Sequence, residues 1–132
     1  MSIETQTTGA SPVSPKKHSL IASDRVEGTP VRRPNAEKIG TVHRLMIDKV
    51  SGKVAYAVLN FGGFLGIGTH YYPIPWERLA YNTKLEAYEL DISEEDLNKA
   101  PSFGENTEFD WGDRAQEAEI YNYYNVPPYW GF

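Results

Sequence analysis

Ile39 to Phe61 reads IGTVHRLMIDKVSGKVAYAVLNF, two runs rich in β-branched and aromatic residues joined by Ser51-Gly52. That composition predicts strands over Ile39–Val50 and Lys53–Phe61, with the serine and glycine making a tight hairpin connection. In the second run Val54, Tyr56 and Val58 point one way and Ala55, Ala57, Leu59 and Phe61 the other, because successive side chains of a strand alternate between its faces. Both faces are apolar, so this strand is expected to be buried on both sides. Ile47, Val58, Leu59 and Trp76 are expected to share one core.

On the C-terminal side, Gly62-Gly63-Phe64-Leu65-Gly66-Ile67-Gly68 forms a loop in which glycines permit positive φ and three large apolar side chains intervene. It has neither a Gly-Lys-Ser/Thr ending nor a Gly-x-Gly-x-x-Gly spacing, and no long helix follows to hold an anion, so phosphate binding is set aside. Phe64, Leu65 and Ile67 either plug an open barrel end or form a contact patch for a partner. Tyr71–Pro75 reads as a strand, Trp76–Leu79 as one helical turn, Asn82–Lys84 as a turn and Leu85–Asp91 as a last, half-buried strand that closes a barrel. Ser93-Glu94-Glu95-Asp96 opens a short helix anchored by Leu97. A serine cap and the helix dipole account for the acids without a metal.

Towards the N-terminus, Pro30–Arg33 is a short strand whose proline suits an edge or a strand start, and Ser19–Ser23 a first strand, with turn residues between. Residues 1–18 are rich in Thr, Ser and Pro and carry too little apolar surface to offset ordering entropy, so they read as a disordered arm. The organisation expected is an arm over 1–18, a barrel over 19–100 and an aromatic-rich extension over 101–132. That extension holds a helical stretch around Arg114 to Tyr124, then Pro127, Pro128, Tyr129, Trp130 and Phe132. Such a tail has to dock, on its own barrel or on a partner. A barrel ending near Ile92 is close to the size at which one core gives little stability, which favours the first.

Composition narrows the function. The chain has 132 residues, net charge −5 and no cysteine, so it reads as one domain without disulfides, thiolate metal sites or a cysteine nucleophile. No secretory signal or membrane-length apolar run is evident, and a cytoplasmic location is expected. The acidic balance argues against non-specific nucleic-acid binding. Charge is nevertheless uneven: Lys16 to Lys53 holds nine cations against four acids, Val54 to Phe132 four against thirteen. His18, His43 and His70 are isolated, and no nucleophile sits on a recognisable strained turn, so no catalytic, cofactor or metal residues are assigned.

Several of these elements together resemble the PRC-barrel module found in the H subunit of photosynthetic reaction centres and in a ribosome maturation factor. They are Ile39-Gly40, Asp48, Ser51-Gly52, Tyr56-Ala57-Val58, Gly62-Gly63-Phe64-Leu65-Gly66, and Pro75-Trp76 followed by Leu79. The likeness covers about Ile21 to Ile92, and the tail is similar to the ends of stand-alone bacterial members. The resemblance implies a mainly β fold, a small antiparallel six-stranded barrel with short C-terminal helices. It implies structural roles for Gly40, Asp48, Gly52, Gly62, Gly63, Gly66 and Pro75, with no cofactor or catalytic residue to carry across. No counterpart of the reaction-centre subunit's N-terminal membrane helix or of the ribosome factor's separate N-terminal domain is expected from these residues.

The function expected is therefore a non-enzymatic protein-binding or self-associating module, with contact residues sought among Phe64, Leu65, Ile67, Trp76, Tyr124, Tyr129 and Trp130, and a homodimer formed through an exposed strand edge. The alternative is a ribosome or RNA-processing assembly factor contacting RNA through Lys16, Lys17, Arg32, Arg33, Lys38 and Arg44.

Overall fold

A computed structural model describes residues 19–62, 69–104 and 109–130. The arm over 1–18 lies outside the described residues, as do Gly63, Phe64, Leu65, Gly66, Ile67 and Phe132.

The chain runs α1 (Ser23–Val26), β1 (Pro30–Arg32), β2 (Lys38–Ile47), β3 (Val54–Gly62) and β4 (Thr69–Pro75). A 3-10 turn (Trp76–Arg78) leads to β5 (Ala80–Asn82) and β6 (Ala87–Glu89), followed by α2 (Glu94–Lys99), β7 (Phe103–Gly104) and α3 (Arg114–Tyr124). One sheet orders the strands β5-β6-β1-β2-β3-β4-β7. All neighbours are antiparallel except β1 and β6, which run parallel with Val31 opposite Tyr88.

The predicted hairpin forms, slightly shorter than the apolar runs. Asp48 N–H donates to Lys53 O at 2.8 Å and Gly52 N–H to Asp48 O at 2.8 Å, while Gly52 takes φ 77, a conformation glycine reaches without steric cost. The Asp48 carboxylate braces the turn by accepting from Ser51 Oγ at 2.6 Å and from the N–H groups of Val50 and Ser51. Ala55 through Leu59 are all buried, so β3 is covered on both faces. With Val31, Val42, Ile74 and Leu90 they form the core.

The expected six-stranded antiparallel barrel is corrected to a mainly β, seven-stranded mixed sheet that is not closed. The turn over 83–86 supplies one reason. Asn82 Oδ1 accepts from the N–H groups of Lys84 and Leu85 and Glu86 takes φ 53, so the run over Leu85–Asp91 cannot be one strand. Instead Ala80–Asn82 folds back on Ala87–Glu89. The sheet also takes in Phe103–Gly104, which pairs with His70 and Tyr71 of β4, past the boundary read at residue 100.

Two further expectations change. Ser19–Ser23 is not a strand; Arg25 and Val26 N–H groups both bond to Ala22 O and wind a helical turn over Ser23–Val26. Ile47 is half exposed at 50% and outside the core. The β2–β3 register shifts between Met46 and Ile47, and such a bulge re-aims the side chains beyond it. A second shift leaves His43 as the extra residue between Val42 and Arg44. Trp76 is partly buried, packed against the core with its ring 5.5 Å from that of Tyr88.

Gly40 sits at a close approach of β2 to β3. A Cβ there would fall 2.6 Å from Asn60 O and against the Phe61 ring, and the backbone oxygen cannot move without breaking the strand pair. Gly40→Ala is therefore expected to lower unfolding free energy by about 1–3 kcal/mol through overpacking, read from the midpoint of a urea unfolding curve.

Candidate functional site

The buried polar constellation of the chain is assembled from β3 and α3. Asp113 caps α3, accepting from Ala115 N–H at 2.9 Å and Gln116 N–H at 3.4 Å, and Asn125 ends it in the left-handed region at φ 58. Along the helix Glu117, Ile120, Tyr121 and Tyr124 are buried; their spacing puts them on one stripe. Glu117 is only 2% exposed. A carboxylate so buried is costly unless bonded, and here it accepts from Tyr56 Oη–H at 2.7 Å and lies 3.5 Å from Arg114.

Arg114 extends the cluster outward. Its guanidinium lies 3.9 Å from the centroid of the Trp130 ring, a cation–π contact, and donates to Tyr129 Oη at 3.1 Å. Around Tyr56 stand the rings of Trp111, Tyr121 and Tyr129 at 5.3, 5.2 and 6.1 Å, and Tyr121 Oη–H donates to Ala55 O at 3.3 Å. Burial, and then donation to Glu117, push the Tyr56 phenol far above its ordinary range. Burial pushes Tyr121 up to about 12. The arrangement works as a clamp that fixes the C-terminal segment on the sheet.

A cleft of about 430 Å³ opens between the 3-10 turn, the segment after β6, α2 and the end of α3. Arg78 crosses it, donating to Tyr124 O at 2.8 Å and Asp91 O at 3.1 Å, and Tyr123 Oη–H donates to Asp96 O. Ser93 Oγ accepts from Asp96 N–H at 3.0 Å, so serine capping of α2 is seen directly. Among the described residues no group of three or more His, Asp or Glu is placed to hold a metal. His43 is stacked on Tyr71 at 4.6 Å, its imidazole drawn below the usual range by burial and then by Arg44. His70 is exposed on β4.

Of the contact residues sought in the sequence, Phe64, Leu65 and Ile67 lie outside the described residues, and Trp76, Tyr124, Tyr129 and Trp130 belong to or pack against the core. Tyr124 is 2% exposed and offers no surface to a partner. Tyr129 and Trp130 are half-buried, with their rings 5.0 Å apart and Trp130 5.6 Å from Tyr121. Among the glycines and other residues read as structural, Gly62 pairs with Thr69 at the end of β3, and Pro75 is buried opposite Tyr56.

What remains outside is a different set. Tyr81 is 45% and Leu85 40% exposed at the β5–β6 hairpin, and Val50 is 95% exposed at the β2–β3 turn beside Ile47. Tyr81 meets Tyr88 edge-on at 5.0 Å, and Tyr88 meets Trp76, so an aromatic ladder leads from the core to the β5 edge. Sequence reading missed both Glu117 and Tyr81. An acid on the apolar stripe of α3 was the available signal for the first; the second required knowing that β5 ends the sheet.

The PRC-barrel domain family matches residues 19–97 of the chain. No curated protein matches it. No helix among the described residues is long and apolar enough to cross a membrane.

Tyr56→Phe leaves Glu117 buried without its closest donor, and a loss of about 1–3 kcal/mol of stability is expected in urea unfolding. The same hydroxyl governs the alkaline limb. Tyr56, Tyr121 and Tyr124 are all raised from 10.0 in the folded chain. Their contribution is complete below pH 10 and is lost as pH climbs beyond it, where only the unfolded chain releases the protons. Each costs about 1.4 kcal/mol per pH unit there. Stability measured at rising pH should fall less steeply in Tyr56→Phe than in wild type.

Proposed function

The chain belongs to the PRC-barrel domain family, and on that premise we propose that it is a non-enzymatic module that binds protein, its own kind included, through the β5 end of its sheet. The observation carrying this reading is the terminal position of β5, which pairs with β6 alone among the described strands. A terminal strand presents unpaired N–H and C=O groups, and main-chain pairing with a further strand satisfies them. Exposed Tyr81 and Leu85 add the amphipathic area that is frequent at protein contacts.

The C-terminal aromatics support the same reading from the other side. Tyr124, Tyr129 and Trp130 are engaged with Arg78, Arg114 and Tyr121 of their own chain, whereas among the described residues Tyr81 at the β5 hairpin is an aromatic side chain exposed to a partner. Two of the cations that an RNA-contacting role would use are occupied: Arg33 donates to Ile92 O and Glu37, and Arg32 to Ala36 O.

The test is a comparative pull-down from native cytosol with wild type and Tyr81→Lys as baits, washed at low and high salt. A protein retained through the high-salt wash by wild type and lost by Tyr81→Lys is the expected result. Equal retention by both baits would remove β5 from the contact. RNA retained at low salt only would replace this reading with an assembly role on a ribonucleoprotein.

A further inference from the structure

Independently of the β5 edge, we propose that the tip of the β2–β3 hairpin docks on a lipid bilayer surface carrying anionic headgroups, with Val50 entering the interface and Lys49 and Lys53 meeting the headgroup phosphates. Val50 is 95% exposed at the apex of the turn and Ile47 is 50% exposed at the end of β2. A single exposed apolar side chain is ordinary, but here two separate features hold a pair of them outward. The Asp48 carboxylate accepts from the N–H groups of Val50 and Ser51 and from Ser51 Oγ–H, which fixes the turn with Val50 in solvent. The register shift between Met46 and Ile47 turns Ile47 out of the core. Lys49 and Lys53 flank the apex and both are exposed. Among the described residues neither takes part in an ion pair.

The C-terminal segment brings interfacial side chains to the same end of the sheet. Ala55 and Tyr56, at the start of β3, are bonded by Tyr121 and Glu117 of α3. The Asp48 carboxyl is held below its ordinary range by the Ser51 hydroxyl first and, less strongly, by Arg114, so the head of α3 stands near the turn. Arg114 is 56% exposed, and beside it lie the half-buried Tyr129 and Trp130. Side chains with an apolar body and a polar end suit the boundary between headgroups and hydrocarbon. Shape favours the same partner. A convex tip with two apolar side chains offers far less than the about 800 Å² that a protein partner ordinarily covers, whereas a fluid headgroup layer closes around it. The acids of α2, Glu94, Glu95 and Asp96, lie toward the far end of α3, where Tyr123 bonds Asp96 O; 11 helical residues set them about 16 Å from Arg114. Asp110 and Asp113, at the near end, accept from backbone N–H groups of their own segment.

Co-sedimentation of the full chain with vesicles tests the proposal, using phosphatidylcholine alone and an equimolar mixture of phosphatidylcholine and phosphatidylserine. Wild type should pellet with the mixed vesicles at low salt, be released as salt rises, and stay in solution with phosphatidylcholine alone. Val50→Asp and the double variant Lys49→Gln/Lys53→Gln should each lower the partition coefficient by about tenfold or more, and Val50→Trp should raise it. All three positions are exposed, and unchanged circular dichroism of each variant would establish that folding is not the cause. A wild type that stays in solution with both kinds of vesicle overturns the proposal. Mixed-vesicle binding that is equal in wild type and in both weakening variants overturns the hairpin tip as the contact. Vesicles ignored by wild type, together with a protein partner lost from the weakening variants, would give the tip to an acidic protein instead. Tyr81→Lys leaves the tip intact and should pellet as wild type does, so the outcome here and the outcome for β5 are read separately.

Discussion

The hydroxyl of Tyr56 and the carboxylate of Glu117, 2.7 Å apart and 61 positions apart in sequence, join the middle of the central strand to the C-terminal helix. Each group is buried and each would be costly there alone. Their bond fixes where α3 lies, and α3 in turn fixes Tyr121 against Ala55 and places Tyr124 beneath Arg78. Arg114 then holds Tyr129 and Trp130. The C-terminal residues are thus part of the packed unit. They supply the second cover that a strand apolar on both faces requires.

Two runs of aromatic side chains have different consequences. One runs His43, Tyr71, Phe103, Phe109, Trp111 and Tyr56, ring against ring, half-buried along its length and fully buried at Tyr56. The other runs Trp76, Tyr88 and Tyr81 and ends in solvent at the last strand of the sheet. Buried rings stabilise through area and geometry. A ring that ends at an unpaired strand edge presents both apolar area and main-chain donors, and the proposed contact rests on that combination.

Openness of the sheet is what makes the edge available. A barrel removes strand edges by closing on itself, and here the sheet has two ends. β7 is short and is continued by packing of Phe103 against Phe109 and Trp111. β5 has no such cover among the described residues. The parallel pairing of β1 with β6 carries the β5–β6 hairpin to the far end of the sheet, where β5 faces outward.

Local rules made much of this protein legible from its residues. The β2–β3 hairpin, the Gly52 turn, the Ser93 cap, the 3-10 turn at Trp76 and the helix at Arg114–Tyr124 each depend on residues within a few positions of one another, and the family likeness followed from the same motifs. What the tertiary structure decided depends on partners far apart in sequence. The parallel β1–β6 pair, the open seven-stranded order, the exposure of Ile47 beyond a bulge and the burial of Glu117 opposite Tyr56 are of this kind. Alternation tells a strand which side chains turn inward, but it carries no information about which strand lies beside it. An acid in a helix reads as solvated until a buried donor is brought to meet it.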